Sequence, residues 1–236
     1  MNALFLVLVA AHLLHSLVSN REEGDPAHKP QTRMSAITQV PMFLVAFVYG
    51  AQHGMLSREL VSPLHIAYGL LAGHVIFALS LLVTHQSVQD AWSQLVDVKG
   101  LCKFGIEAPY VLSRFMGVAI AEEIIWRVAL QPILVDVTGS VIAGITIAAL
   151  GFAIIHHHFF KNTMVVSLEF TAFALLLGGL YYWTGSLILV IVIHAVRDIE
   201  IAHLEYQIKV EEYGDAAKAE KELAALYMPR RRLERL

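Results

Sequence analysis

The stretch Gly117-Val118-Ala119-Ile120-Ala121-Glu122-Glu123-Ile124-Ile125-Trp126-Arg127-Val128-Ala129-Leu130 decides how the chain folds. Two adjacent carboxylates and an arginine stand in a run otherwise apolar enough to cross a bilayer. Each charge at the centre of a membrane helix costs about 2.5–3.5 kcal/mol, whereas each Leu, Ile or Val returns only about 0.3–0.6 kcal/mol. Three charges outweigh a dozen aliphatics, so this segment is not stable alone in lipid. It must face protein, pair its charges or line a wet cavity. Ionisable groups in that setting are functional candidates.

The surroundings agree. Of 236 residues, 57% are hydrophobic and 16% charged. A soluble domain is nearer a quarter charged, and long apolar runs mark membrane spans. The expectation is an all-α, polytopic membrane helix bundle in one domain. The single cysteine, Cys102, excludes a disulfide framework, and it has no evident base beside it. Net charge is −3 with no basic stripe interleaved with aromatics, so nucleic acid is not an expected partner.

About seven spans are expected. The first, Met1 to Ser19, has the length of a signal peptide but lacks a basic start and a small-x-small cleavage site, and reads as a retained span. A polar loop, Asn20 to Arg33, follows. The second span covers roughly Ser35 to Leu56, entered through Pro41, and the third Leu64 to Thr84. Between Gln86 and Leu101 the spacing of Val88, Trp92, Leu95 and Val96 predicts an amphipathic helix lying along the interface, or an ordinary helix packed on protein. The fourth span, Pro109 to about Val135, carries the charges. The fifth runs from Gly139 to His156 or a little beyond, the sixth from Met164 to Trp183, and the seventh from Leu187 to about His203. A mixed-charge helical tail ends in Arg230-Arg231-Arg232-Leu233-Glu234-Arg235, which could hold anionic lipid.

Lysines and arginines fix the expected orientation. Thirteen fall in the segments that seven spans place with the tail, and only Arg58 falls opposite; Arg114, Arg127 and Arg197 are intramembrane. Positive charge marks the cytoplasmic side, so the N-terminus is expected outside and the C-terminus in the cytoplasm. The expected location is the cell (inner) membrane.

Three groups carry candidate chemistry. Glu123 and Arg127 are four apart on one helix face and should pair. Glu122 is turned about 100° away, without a built-in partner, and a carboxylate held in a low-dielectric site can serve as a general base. All three charges could instead form a buried clasp between helices. The fifth span ends His156-His157-His158. Consecutive residues diverge by about 100°, so one helix cannot aim all three at one point. In the seventh span, His194 and Asp198 stand one above the other, as a catalytic pair or as a hydrogen bond between helices. Small residues, among them Gly144, Gly151, Gly178 and Gly179, favour close helix packing around these groups.

Glu122-Glu123-x-x-x-Arg127, Phe152-x-x-x-His156 and His194-x-x-x-Asp198, the last preceded by Gly179-Leu180-Tyr181-Tyr182-Trp183-Thr184-Gly185-Ser186-Leu187, together resemble the CPBP family. These are CAAX-processing and bacteriocin-processing membrane endopeptidases, also called ABI proteins. The resemblance covers about residues 105 to 200. It divides the chain into N-terminal spans with the interfacial helix (1–104), a catalytic core (105–204) and a charged cytoplasmic tail (205–236).

The resemblance implies that Glu122 is the catalytic glutamate and that His156 helps it activate water. It implies that His194 and Asp198 stabilise the oxyanion and that Glu123 and Arg127 support the site. The last motif position is often Asn. Asp198 could donate to an oxyanion only if protonated; otherwise it orients His194. No metal is assured, and a zinc held by Glu122, His156 and His194 is the alternative chemistry. The implied partners are a membrane-associated protein or peptide substrate and the lipid bilayer.

Two other readings are open. One is a non-catalytic membrane adaptor or immunity-like protein that keeps the polar core for structure. The other is a haem or metal protein, motivated by twelve histidines that include His12, His53, His65 and His74. A lone histidine on an apolar helix is more often packing than ligand.

Overall fold

The computed structural model describes residues 2–19, 31–56, 62–156 and 159–227. Every regular element among them is a helix. In order they are α1 (Asn2–Ser19), α2 (Gln31–Gln52), α3 (Pro63–His85), α4 (Val88–Val96), α5 (Val98–Glu107), α6 (Pro109–Glu123), a π-helix (Ile124–Leu130), α7 (Gln131–Thr138), α8 (Val141–Ile155), α9 (Met164–Thr184), α10 (Leu187–Tyr213) and α11 (Ala216–Tyr227). The segments α6, π and α7 follow one another without a break.

Among the described residues two helices, α3 and α9, are long and apolar enough to cross a membrane, and the shorter apolar helices are Asn2–Val18, Ile37–Gln52 and Val141–Ile155. The burial pattern is inverted relative to a water-soluble protein. Leu4, Val7 and Leu14 on α1, Leu70 and Leu71 on α3, and Leu168 and Trp183 on α9 are exposed. Glu123, Arg127, Gln131 and Glu200 are buried instead. Large apolar side chains so exposed along three helices suit hydrocarbon rather than water as the solvent for this surface.

The chain forms two compact units: Met1–His65 with Ala121–Val190, and Ile66–Ile120 with Ile191–Leu236. In the first unit α2 packs along the π-helix, α1 on α2 and α8, α7 on α8, and α8 on α9. Glycine sets the closest of these approaches. A methyl group at Gly144 would lie 2.7 Å from the Val135 backbone nitrogen, so the α7 and α8 backbones meet there. Two turns reuse one chemistry. Gly139 (φ 64°) and Gly185 (φ 65°) adopt the left-handed conformation that ends a helix. Ser140 and Ser186 follow them and accept from Ala143 N and Leu189 N, satisfying backbone donors at the start of the next helix.

In the second unit α3 and α10 approach closely, because a side chain at Gly73 would collide with Val196. Amphipathic α4 turns Val88, Trp92 and Val96 outward and buries Gln94, whose Nε2 donates to Gln207 Oε1 at 2.7 Å. That arrangement suits a helix with its apolar face in lipid and its polar face on protein. The expected mixed-charge tail takes a more definite form. α10 continues unbroken to Tyr213, Gly214 (φ 63°) reverses the chain, and α11 folds back. Leu223 of α11 packs with Phe104, Ala108, Val111 and Ala202, so apolar burial anchors the hairpin. The Asn20–Pro30 part of the polar loop, His157, His158 and the arginines from Arg230 to Arg235 lie outside the described residues.

Candidate active site

Glu122 and Glu123 are the last two residues of α6, and the helix widens into a π-helix immediately after them. Its wider turn is seen at Gln131 N, which bonds to Trp126 O five residues back. Apolar Ile124, Ile125, Trp126, Val128, Ala129 and Leu130 pattern alike for α and π geometry, so nothing in the sequence foretold this. Mid-helix π segments are rare and frequently mark functional sites.

The expected Glu123–Arg127 pair is present. Arg127 Nε donates to Glu123 Oε2 at 3.0 Å, and both side chains are 0% exposed. Glu122 is half-buried, with its Oε2 shielded from solvent. The Arg127 guanidinium lies 5.4 Å from the Phe152 ring centroid, and the Trp126 ring meets the same ring edge-on. Phe152 in turn packs against the His156 ring at 4.6 Å. The first unit thus brings Glu123, Arg127, Phe152 and His156 into one chain of contacts.

Helix α8 ends at Ile155, one residue earlier than the expected span, and His156 takes the extended conformation of a C-cap. Its Nδ1 lies 2.7 Å from Phe152 O. A carbonyl oxygen only accepts, so Nδ1 carries the proton and Nε2 is the basic nitrogen of the neutral ring. Phe170 meets the ring edge-on at 4.8 Å and fixes its plane. The phenylalanine of Phe152-x-x-x-His156 therefore acts twice on the histidine, through its carbonyl and through its ring.

His194 and Asp198 belong to the second unit, on α10. His194 Nε2 is 3.5 Å from Asp198 Oδ2, with the histidine almost fully buried and the carboxylate partly exposed. The four-residue spacing therefore brings these two groups face to face.

Two polar anchors went unforeseen. Gln131, which is 2% exposed, donates from Nε2 to Gly178 O at 3.0 Å and ties the start of α7 to α9. In the second unit His74 Nδ1 is 2.6 Å from Glu200 Oε1, and His74 Nε2 donates to Leu95 O at 2.9 Å. His74 is thus a clamp between α3, α4 and α10, and packing alone does not describe it. The signal was a glutamate, Glu200, in an apolar helix two residues beyond the motif. His12 Nδ1, by contrast, meets Thr38 Oγ1 at 2.8 Å and His53 Nδ1 bonds to Tyr49 O, as structural histidines do.

Among the described residues no group of three His, Cys, Asp or Glu side chains is arranged to hold a metal ion. A cleft of about 650 Å³ in the second unit is lined by Ser93, Gln94, Asp97, Lys103, Tyr206 and Gln207 among others, and contains no motif residue.

No curated protein and no solved structure matches the chain. Residues 105–199 match the family model described as type II CAAX prenyl endopeptidase Rce1-like. The matched segment contains Glu122, Glu123, Arg127, Phe152, His156, His194 and Asp198. Over residues 105–199, less than half of its length, the chain is thus similar to the CPBP, or CAAX protease, family of membrane endopeptidases.

Proposed function

We propose that the protein is an intramembrane endopeptidase that hydrolyses a peptide bond in a membrane-associated protein or peptide. Glu122 is the general base that removes a proton from water, and His156 accepts a hydrogen bond from the same water through Nε2. The hydroxide formed attacks the scissile carbonyl carbon. His194 stabilises the oxyanion of the tetrahedral intermediate as a protonated imidazole. Asp198 orients that imidazole and balances its charge. Glu123 and Arg127 hold the turn that presents Glu122. The proton taken from water passes to the leaving amine as the intermediate collapses.

The observation that carries this reading is the tautomer of His156. Its Nδ1–H donates to the Phe152 carbonyl, which makes Nε2 the acceptor nitrogen of the neutral ring. The 3.5 Å approach of His194 Nε2 to Asp198 supports the orienting role for Asp198. Helix α8 adds a further argument. Its 15 residues reach about 22 Å at 1.5 Å per residue, short of about 30 Å of hydrocarbon. A helix that stops short at His156 suits a site that admits water and unfolded substrate backbone.

The reading includes seven spans, with the N-terminus outside and the C-terminus in the cytoplasm, where the substrate enters. It includes metal-free chemistry. The test is to compare membranes with and without the protein for new peptide termini, with and without a strong chelator. Termini that depend on the protein support the reading, and their persistence under chelation supports a glutamate-based rather than zinc-based reaction. Membranes with identical termini in both cases would leave the adaptor reading in its place.

A further inference from the structure

The cleft of about 650 Å³ in the second unit is lined by groups of both charges. Its lining includes one cation, Lys103, two carboxylates, Asp97 and Glu211, and the polar side chains of Gln94, Tyr206 and Gln207. Asp97 is the N-cap of α5, and Lys103 stands six residues along the same helix, about 9 Å of rise at 1.5 Å per residue. Opposite charges are thus held apart along one helix. Lys103 meets Glu107 at 3.7 Å, an exposed pair of the kind that is worth little, so its ammonium is available to a ligand.

The hydrogen bonds inside the lining decide what it has left to offer. Gln94 is 8% exposed, and its Nε2 donates to Gln207 Oε1 at 2.7 Å, so its remaining polar atom is the acceptor Oε1. Gln207 Nε2 donates to Asp97 Oδ2 at 3.0 Å and Gly100 N to Asp97 Oδ1 at 3.0 Å. These bonds fix the carboxylate and leave it further lone pairs. Gln94 Oε1, Asp97 and Glu211 therefore supply three acceptors, which matches the three donors of an ammonium group. Apolar residues interleave with the lining. Trp92 precedes Ser93, Val96 and Val98 flank Asp97, and all three apolar side chains are exposed.

We propose that the cleft binds the headgroup of a phosphoethanolamine lipid, a phosphate ester that carries a primary ammonium. The ammonium donates to Gln94 Oε1, Asp97 and Glu211. The phosphate meets Lys103 and the Tyr206 hydroxyl, and the acyl chains run past Trp92, Val96 and Val98. A choline headgroup has no N–H to give these acceptors, and an anionic headgroup meets two carboxylates against one lysine. A headgroup without chains leaves the apolar flank unused. In place, the lipid ties α4 and α5 to α10, the helix that also carries His194 and Asp198. The site rests on the bilayer setting of the chain and not on the endopeptidase reading.

Native mass spectrometry of the full-length protein in detergent, titrated with phosphatidylethanolamine, phosphatidylcholine or phosphatidylglycerol of the same chains, tests the site. One ethanolamine lipid should be held about tenfold more tightly than either of the others, the equivalent of one charge-assisted hydrogen bond. Equal affinity for the three, or a preference for phosphatidylglycerol, overturns the proposal. Glu211→Gln and Lys103→Ala, both at exposed positions, should each remove most of that preference. Unaltered selectivity in either variant, shown to be folded by thermal unfolding in lipid-free detergent, also overturns it. Glycerophosphoethanolamine, which has the headgroup and no chains, should displace the lipid only in about hundredfold or greater excess, because a few buried methylenes are worth that much. Displacement at equal concentration assigns the cleft to a soluble ligand and overturns the lipid. A last measurement uses the intact cleft. The Trp92 fluorescence, taken as the difference from Trp92→Phe, should be quenched more by chain-brominated phosphatidylethanolamine than by chain-brominated phosphatidylcholine at equal mole fraction. Equal quenching overturns the proposed placement of the chains.

Discussion

Arg127 Nε donates to Glu123 Oε2 at 3.0 Å, and neither side chain has any exposed surface. An ion pair so far from water has paid its desolvation in full, so the two halves depend on each other. Removing one leaves a bare charge in the interior, which typically destabilises by about 3–5 kcal/mol, whereas replacing both with apolar groups is often close to neutral. Arg127→Leu should therefore unfold far more readily in detergent than Glu123→Leu/Arg127→Leu. Equal losses for the two would mean the pair contributes through shape alone.

The His74–Glu200 clamp makes a similar prediction for the second unit. Glu200 is 1% exposed and pairs with His74 at 2.6 Å. His74→Leu strands the carboxyl and frees the Leu95 carbonyl, and should cost about 1–3 kcal/mol per unsatisfied group. Because α10 also carries His194 and Asp198, peptide hydrolysis should fall with it. Thermal unfolding and cleavage assays on His74→Leu and His74→Gln check both effects, with Gln retaining more of each.

Helix packing can be tested at Gly144. An added methyl group would lie 2.5 Å from Val135 Cγ2 and 2.9 Å from Val135 Cα, so backbone as well as side chain must move. Gly144→Ala should destabilise by about 1–3 kcal/mol, the usual cost of overpacking. Gly117→Ala, where nothing lies within 4 Å, is the matched control and should change little.

The C-terminal hairpin should respond to acid. Hydrogen bonds from Tyr213 and then Lys209 hold Glu222 below its ordinary value of 4.5, and the same contact with Glu222 holds Lys209 above 10.5. A depressed acid contributes fully above its unfolded pKa and is lost as pH falls through its folded one. A raised lysine contributes below 10.5 and is lost above its folded value. The docking of α11 is thus best held between about pH 4.5 and 10.5 and weakens below that range as Glu222 protonates. Spin labels on α10 and α11 should report a modest gain in separation in acid. Glu222→Gln should abolish the acid response, while Leu223 and its apolar neighbours keep the hairpin partly closed.

Much of this was legible in the sequence because the deciding signals were local. Charges inside an apolar run forced a buried site. The four-residue spacings of Glu123 with Arg127 and of His194 with Asp198 forecast contacts that the structure contains. What stayed hidden depends on partners far apart in the chain or on backbone choices with no periodic signature. The π-helix has the residue pattern of an α-helix. His74 and Glu200 are 126 residues apart, and each alone looks like an isolated polar residue on an apolar face. The fold-back of α11 depends on Leu223 finding Phe104 and Ala202, which charge counting in the tail could not reveal.

The central claim is that Glu122 is the base that activates water, and replacing it with its neutral isostere tests that most directly. Membrane proteins from cells making wild-type or Glu122→Gln protein would be compared for uncleaved precursors, with equal amounts of each folded protein confirmed in the membrane. The account predicts that precursors accumulate with Glu122→Gln to the level seen without the protein. Normal processing by a well-folded Glu122→Gln variant would contradict it.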